Sequence, residues 1–183
     1  FGLDRPSRAQ LLREALAAWL AGPERSIAEH YDASARAMRL SGAYPVGVFG
    51  EAARTRDLEV LARWTDALAG AGPATRVGFG RANVGAGARA ELVPALELAL
   101  PGGRTVRLTG QTELLVGPSR PPTEPGLAGA PGRRTSVIAL TSDVATRTHH
   151  HVRGALDHLV LAAAGLAPVG HEHLLLDPEG KQV

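Results

Sequence analysis

The chain has 183 residues, enough for one domain with a sizeable apolar interior, or for one core with a helical annex. Apolar residues at 44% and charged residues at 21% are globular values, no apolar run reaches membrane-spanning length, and the absence of cysteine excludes disulfides and thiolate metal centres, so a soluble protein of the cytoplasm is expected. The formal net charge of +2 is unevenly placed: residues 1–71 balance nine arginines against nine acids, residues 72–170 carry ten arginines against six acids, and Lys181 is the only lysine.

Arginine-biased codon usage accounts for that preference by itself; an anion-facing surface is the second reading, because the guanidinium fork matches phosphate and carboxylate. The start at Phe1, the turn-like Asp177-Pro178-Glu179-Gly180 and the end at Val183 lead to the expectation that the chain is a segment of a longer polypeptide.

Ser7-Arg8-Ala9-Gln10 has the form of a capping box ahead of Leu11, Leu12, Ala15, Leu16, Trp19 and Leu20, whose spacing predicts a first helix closed by Gly22-Pro23. Pro23 suits the first turn of a second helix, with Ile27, Tyr31, Ala35 and Met38 on one face and Gly42 as its stop. GAYPVGVFGE, Gly42 to Glu51, reads as a shaped, partly buried hinge. A third helix is predicted from about Glu51 to Leu68, carried by Leu58, Leu61, Thr65 and Leu68 and broken by Gly70-Ala71-Gly72-Pro73. Residues 1–71 thus form a helical segment.

Beyond Pro73 the period changes to two. Leu92, Leu96, Leu98 and Leu100 alternate with polar or small residues, Pro101-Gly102-Gly103 turns the chain, and Val106, Leu108, Gly110, Thr112, Leu114 and Val116 alternate again. This predicts a hairpin with Arg107, Thr109, Gln111 and Glu113 on one face. Residues 117–134 are rich in proline and glycine and predict a mobile surface loop. Thr135–Thr141 predicts a buried strand, residues 150–164 a helix with Val152, Leu156, Leu159, Val160 and Ala163 as its apolar face, and HEHLLLD from His171 a last strand. The order implies an α/β core over residues 72–183 with flanking helices.

A strand-borne acid followed by a strand and a helix is the skeleton of many metal-dependent nucleases, where two carboxylates on adjacent strands hold Mg²⁺ and a lysine two residues past the second acid assists. Glu113 suits the first acid. The next strand has none, Asp143 lies just past it, and Asp143-Val144-Ala145 lacks the lysine. His149, His150, His151 and His158 invite a zinc reading, but no HExxH is present and His171-x-His173 would have to converge with them; solvated residues at a helix start are the plainer account. The glycines of GFGRANVGAG, Gly78 to Gly87, make no phosphate-binding motif and read as turns, and Ser119, Ser136 and Ser142 lack a GxSxG elbow. Aromatic residues at 4% are too sparse for a base-stacking platform.

Taken together, the helical first third, GAYPVGVFGE, LTGQTELLV (Leu108 to Val116) and VRGALDHLVLAAAGL (Val152 to Leu166) resemble the C-terminal domain of exodeoxyribonuclease V gamma chains, the RecC family, over about Leu3 to Leu176. The resemblance implies a degenerate PD-(D/E)xK, restriction-endonuclease-like core with a central mixed sheet flanked by helices. It also implies that the catalytic set is lost: Glu113 is a vestigial position, and the QLxxY helix motif of active relatives is replaced by His158 and Ala162 in the matching places. The resemblance further implies a noncatalytic scaffold that meets RecB-like and RecD-like subunits, double-stranded DNA ends and the single strands at the fork, in double-strand-break repair by recombination. Mg²⁺ and ATP would then serve the partner subunits and not this domain.

Arg107, Arg120, Arg133, Arg134 and Arg147 are the candidate phosphate contacts, and Glu113 is left to pair with an arginine such as Arg107. Two other functions stay open: a divergent metal-dependent nuclease using Glu113 with Asp143 or a histidine, and a protein-interaction module without DNA contact.

Overall fold

The fold is that of a computed structural model, which describes residues 3–84, 88–118, 134–141, 147–166 and 171–181. Helix α1 spans Arg5–Ala21 and starts earlier than its predicted capping box, because Asp4 is the cap: its carboxylate accepts from the Ser7 N–H at 2.8 Å, and Pro6 lies in the first turn. Leu11, Leu12, Ala15, Leu16 and Leu20 form the expected buried stripe. Helix α2, Ile27–Leu40, is capped reciprocally by Ser26 and Glu29, which leaves Pro23 in the connection and not in the helix. Tyr31 and Ala35 face inward as their spacing predicts.

Helix α3 spans Gly47–Ala67, so the second half of the expected hinge is its first turn. Asp57 on α3 is buried and accepts from Arg8 Nε at 2.6 Å and from the Tyr31 hydroxyl at 2.9 Å; the Tyr44 hydroxyl lies 2.8 Å from that of Tyr31. This network ties all three helices and the start of GAYPVGVFGE together. Gly50 sits so close beneath the chain that a Cβ there would lie 2.5 Å from the Pro45 carbonyl oxygen. The segment is partly buried as expected, with Tyr44 and Gly50 inside, while Val46, Val48 and Phe49 point to solvent.

Eight strands follow among the described residues: β1 Ala71–Phe79, β2 Arg89–Val93, β3 Leu96–Ala99, β4 Thr105–Leu108, β5 Gly110–Gln111, β6 Leu114–Pro118, β7 Arg134–Ala139 and β8 His171–Leu176. The main sheet runs β2-β1-β6-β7-β8, with β5 also on β1. The β1–β2 and β7–β8 pairs are parallel, and β1–β6 and β6–β7 are antiparallel. Helix α4, Arg147–Ala163, lies between β7 and β8 in the chain and supplies the crossover that a parallel pair requires. The chain is therefore mixed α/β, with a mixed sheet and four helices among the described residues. None of these helices is long and apolar enough to cross a membrane.

Strand β1 was hidden in the sequence. Pro73 sits where the β1–β6 register shifts, a place where a missing N–H is tolerated, and only Val77 and Phe79 are large and apolar, too few to announce a strand that starts on a Gly72-Pro73 breaker. The predicted hairpin forms between β3 and β4, turned at Gly102 and Gly103, both with positive φ. Its second arm ends at Leu108. β5 and β6 then join β1 in the main sheet, so Glu113 does not share a hairpin face with Arg107 as expected. The expected loop at 117–134 is narrower at both ends, since β6 runs through Pro118 and β7 starts at Arg134; residues 119–133 lie outside the described residues.

The sheet is covered on both faces. Ala74, Leu114, Val116, Val137, Ala139 and Leu176 pack with α1, α2 and α3 in one core, while Val77, Phe79 and Leu115 pack with Leu161 of α4 on the other side. The predicted apolar face of α4 is split: Val152, Leu156 and Leu159 are 51%, 52% and 61% exposed, while Val160 packs against the core of Val77, Phe79, Leu115 and Leu161. The inward side carries Gly154, Asp157 and Leu161, one helical stripe. Gly154 lets α4 approach β8 so closely that a Cβ would lie 2.5 Å from the His173 ring.

Candidate functional site

Glu113 stands at the break between β5 and β6, and the break itself holds it in place. Thr112, almost fully buried, donates its N–H to the Val77 carbonyl at 3.0 Å and accepts the Val77 N–H on its hydroxyl at 3.1 Å, which replaces the interrupted ladder. One residue on, the Glu113 N–H donates to Asp157 Oδ2 at 3.0 Å, and the Glu113 carboxylate makes an ion pair with Arg153. Arg153 and Asp157 are four apart on α4, so one helical face supplies both contacts. Arg153 is thus the partner of Glu113, and the expected Arg107 lies exposed on β4, opposite Glu97.

Asp157 is the acid bonded to the Glu113 backbone, and it comes from the helix rather than from the neighbouring strand. The buried Ser136 of β7 donates its hydroxyl to Asp157 Oδ2 at 2.6 Å. With that proton committed, Ser136 Oγ accepts from His171 Nε2 at 2.8 Å, which assigns the His171 tautomer. Burial pushes the Asp157 carboxyl up to about 6, against the pull of its bonds to Ser136 and the Glu113 N–H. Burial likewise pushes His171 down to about 4, helped by His158 and His173. The His171–Ser136–Asp157 chain contains the residue types of a hydrolase triad in the wrong order: the serine is central, fully buried and already donating to the acid.

Beside Glu113 a cavity of about 280 Å³ is lined by Arg13, Arg76, Arg153, Glu14, Gln111 and Glu113. Arg13 projects from α1 and uses Nε on the Ala139 carbonyl at 3.0 Å; Arg76 projects from β1 and reaches the Val84 carbonyl at 3.4 Å. Arg76 Nε is buried without an acceptor among the described residues. Burial lowers the pKa of both guanidinium groups, and for Arg13 the nearby Arg153 charge adds to the effect while Glu113 opposes it. Glu14 is held by Gln10 at 2.8 Å. Three cations thus surround one ion-paired carboxylate and one hydrogen-bonded one.

The remaining predicted residues are scattered. His158 and Ala162 are exposed and do not line the cavity beside Glu113; they lie one residue past Asp157 and Leu161, about 100° around the helix from the inward stripe. Arg134 is ion-paired with Glu91 at 3.0 Å, and Arg147 opens α4. Arg120, Arg133 and Asp143 lie outside the described residues.

The histidines do converge: His151 Nδ1 lies 3.0 Å from His173 Nε2, and the His158 and His171 rings are 5.8 Å apart. They form separate pairs, however, and no group of three ligating side chains placed to hold a metal occurs among the described residues. Sequence reasoning missed Arg13, Arg76, Arg153 and Asp157. The only local signal was the spacing of Arg153 and Asp157. Compared with known protein families, with curated proteins and with solved structures, the chain matches none.

Proposed function

We propose that this chain is a noncatalytic, nuclease-like scaffold that holds DNA at a fork, in the role of the gamma-subunit domain of a RecBCD-type helicase-nuclease acting in recombinational repair. The observation that carries this reading is the ion pair of Arg153 with Glu113 beside Arg13 and Arg76. A divalent cation is held by several oxygen ligands of net negative charge. Here the acid beside the strand is paired with a guanidinium, and two more guanidiniums line the same cavity, so the donor set does not fit Mg²⁺. It fits an anion.

The order of elements supports the PD-(D/E)xK-like part of the reading: Glu113 immediately precedes β6, β7 lies antiparallel beside that strand, α4 crosses over, and β8 returns parallel to β7. In this reading RecB-like and RecD-like subunits bring the Mg²⁺ and ATP chemistry, and this domain brings surface and phosphate contacts. The test is incubation of the full chain with linear DNA and Mg²⁺ or Mn²⁺. No degradation is expected, together with DNA binding that weakens steeply as salt is raised. Metal-dependent degradation that disappears in Glu113→Ala would instead establish a divergent nuclease.

A second reading, a protein-interaction module, is favoured by the outward apolar residues Val152, Leu156 and Leu159 on α4 and Val46, Val48 and Phe49 at the start of α3. DNA affinity that is absent or indifferent to salt would favour it over the first.

A further inference from the structure

The cavity beside Glu113 has more positive charge than the protein itself uses. Of its three arginines, only Arg153 has a carboxylate partner within ion-pair distance among the described residues. Arg13 and Arg76 each spend one N–H on a backbone carbonyl, and their other guanidinium N–H groups have no protein acceptor among the described residues. Each guanidinium offers five donors in a planar fork. Glu14, bonded by Gln10, also lines the cavity and its charge acts on Arg76, so three guanidiniums face two carboxylates and the lining keeps a net charge of +1.

We infer that this cavity is a binding site for a phosphate monoester, gripped by Arg13 and Arg76, with Arg153 steadied by Glu113 at its side. The donor forks select the ligand. The net charge of +1 calls for an anion, and a diester or a carboxylate presents only two terminal oxygens to the two forks, fewer than a phosphate monoester. Its three terminal oxygens can take paired N–H groups from both forks. The volume, about 280 Å³, lies just below the usual range for drug-sized ligands and suits a phosphate with a small attached group. The site is also formed by rigid parts: Arg13 stands on α1, Arg76 on the central strand β1, and Arg153 on α4. Placed on the scaffold of the preceding subsection, and resting on that reading for this use, the monoester is the 5′-phosphate of a DNA strand end.

Calorimetry of the full chain with inorganic phosphate tests the site without any substitution, and anisotropy with one short single strand, prepared with a 5′-phosphate and with a 5′-hydroxyl, tests its use. Saturable phosphate binding is expected, weakened about tenfold or more in Arg76→Gln and in Arg13→Gln through loss of charged hydrogen bonds, and unchanged in Arg25→Gln, on the α1–α2 connection outside the cavity. The 5′-phosphorylated strand should bind about tenfold more tightly than the hydroxyl form, an advantage both cavity variants lose.

Phosphate binding that is absent from the wild-type chain, or equal in all variants, overturns the site, whatever the DNA result. DNA bound without any 5′-phosphate advantage, alongside phosphate binding that needs Arg76, upholds a site for a small phosphorylated molecule and removes its link to DNA ends. DNA that is not bound at all, with phosphate binding intact, counts against the fork-holding reading and leaves the cavity standing.

Discussion

Replacing Asp157 with asparagine isolates the charge that joins α4 to the sheet. The amide has the shape of the carboxyl group, and its oxygen can still accept from the Ser136 hydroxyl and the Glu113 N–H, now at 2.6 and 3.0 Å. What disappears is ionisation. Burial raises the folded Asp157 carboxyl from the ordinary 3.8 to about 6. Between those values the folded state binds the proton more tightly than the unfolded state does. Stability from this group is therefore full below the lower value and is lost as pH rises through the upper one. The complete loss is about 3 kcal/mol, and the part that falls between about pH 4.5 and 7.5 is about 2 kcal/mol.

His171 acts with the opposite sign. Its folded pKa is depressed to about 4, so its contribution is present above the ordinary histidine value and is lost as pH falls through about 4. The ring is partly exposed, which reduces that contribution to about 1 kcal/mol. The two slopes oppose each other in the wild-type chain. In Asp157→Asn only the histidine remains, and the comparison between the two proteins removes every other group. Urea unfolding followed by tryptophan fluorescence, with Trp64 fully buried as reporter, measures the difference at each pH. Asp157→Asn should gain about 2 kcal/mol relative to wild type from about pH 4.5 to 7.5. A difference that stays flat with pH, or that shrinks as pH rises, would refute burial as the source of the raised pKa.

Other substitutions test the framework around the site. Asp57→Ala strands Arg8 and the Tyr31 hydroxyl, and should cost about 3 kcal/mol in urea unfolding; a loss under about 1 kcal/mol would mean that the network does not hold α1, α2 and α3 together. Gly154→Ala would gain about 1 kcal/mol in an open helix, but here the new Cβ meets His173 at 2.5 Å, so a loss of about 1 to 3 kcal/mol is expected. A gain on calorimetric melting would show that α4 does not sit so close to β8. Arg153→Gln leaves Glu113 with no partner in its ion pair, and should raise the affinity for Mn²⁺ relative to wild type, read by electron paramagnetic resonance; an unchanged affinity would show that the cation is not what keeps divalent ions away.

Much of the local structure was legible. The stripe from Leu11 to Leu20 and the spacing of Tyr31 and Ala35 are helical periods that any packing arrangement must honour, and Gly102-Gly103 turns a hairpin in the place where two alternating runs meet. Strand β1 was not legible, because it starts on the Gly72-Pro73 breaker and its alternation rests on two large apolar residues, Val77 and Phe79. Helix α4 misled for a related reason. Its apolar residues suggested an inward face, yet the sheet receives Gly154 and Asp157, a gap for close approach and a polar anchor. Glu113 stood out in the sequence as a lone acid among apolar neighbours. Its partners did not, since Arg13, Arg76 and Arg153 come from α1, β1 and α4.

The sequence by itself determined the four helices, the β3–β4 hairpin and the late strands β7 and β8, where most of them stop, and that Glu113 has no acid-x-lysine beside it. These are local properties, set by side-chain spacing and by glycine and proline over a few residues. The tertiary structure alone decided that the acid is paired with Arg153, that two further arginines converge on it, and that Val152, Leu156 and Leu159 of α4 stay exposed. Charges more than a hundred residues apart meet only after β1, β6 and β7 have paired and α1 and α4 have packed on opposite faces of the sheet, and no local spacing encodes that meeting.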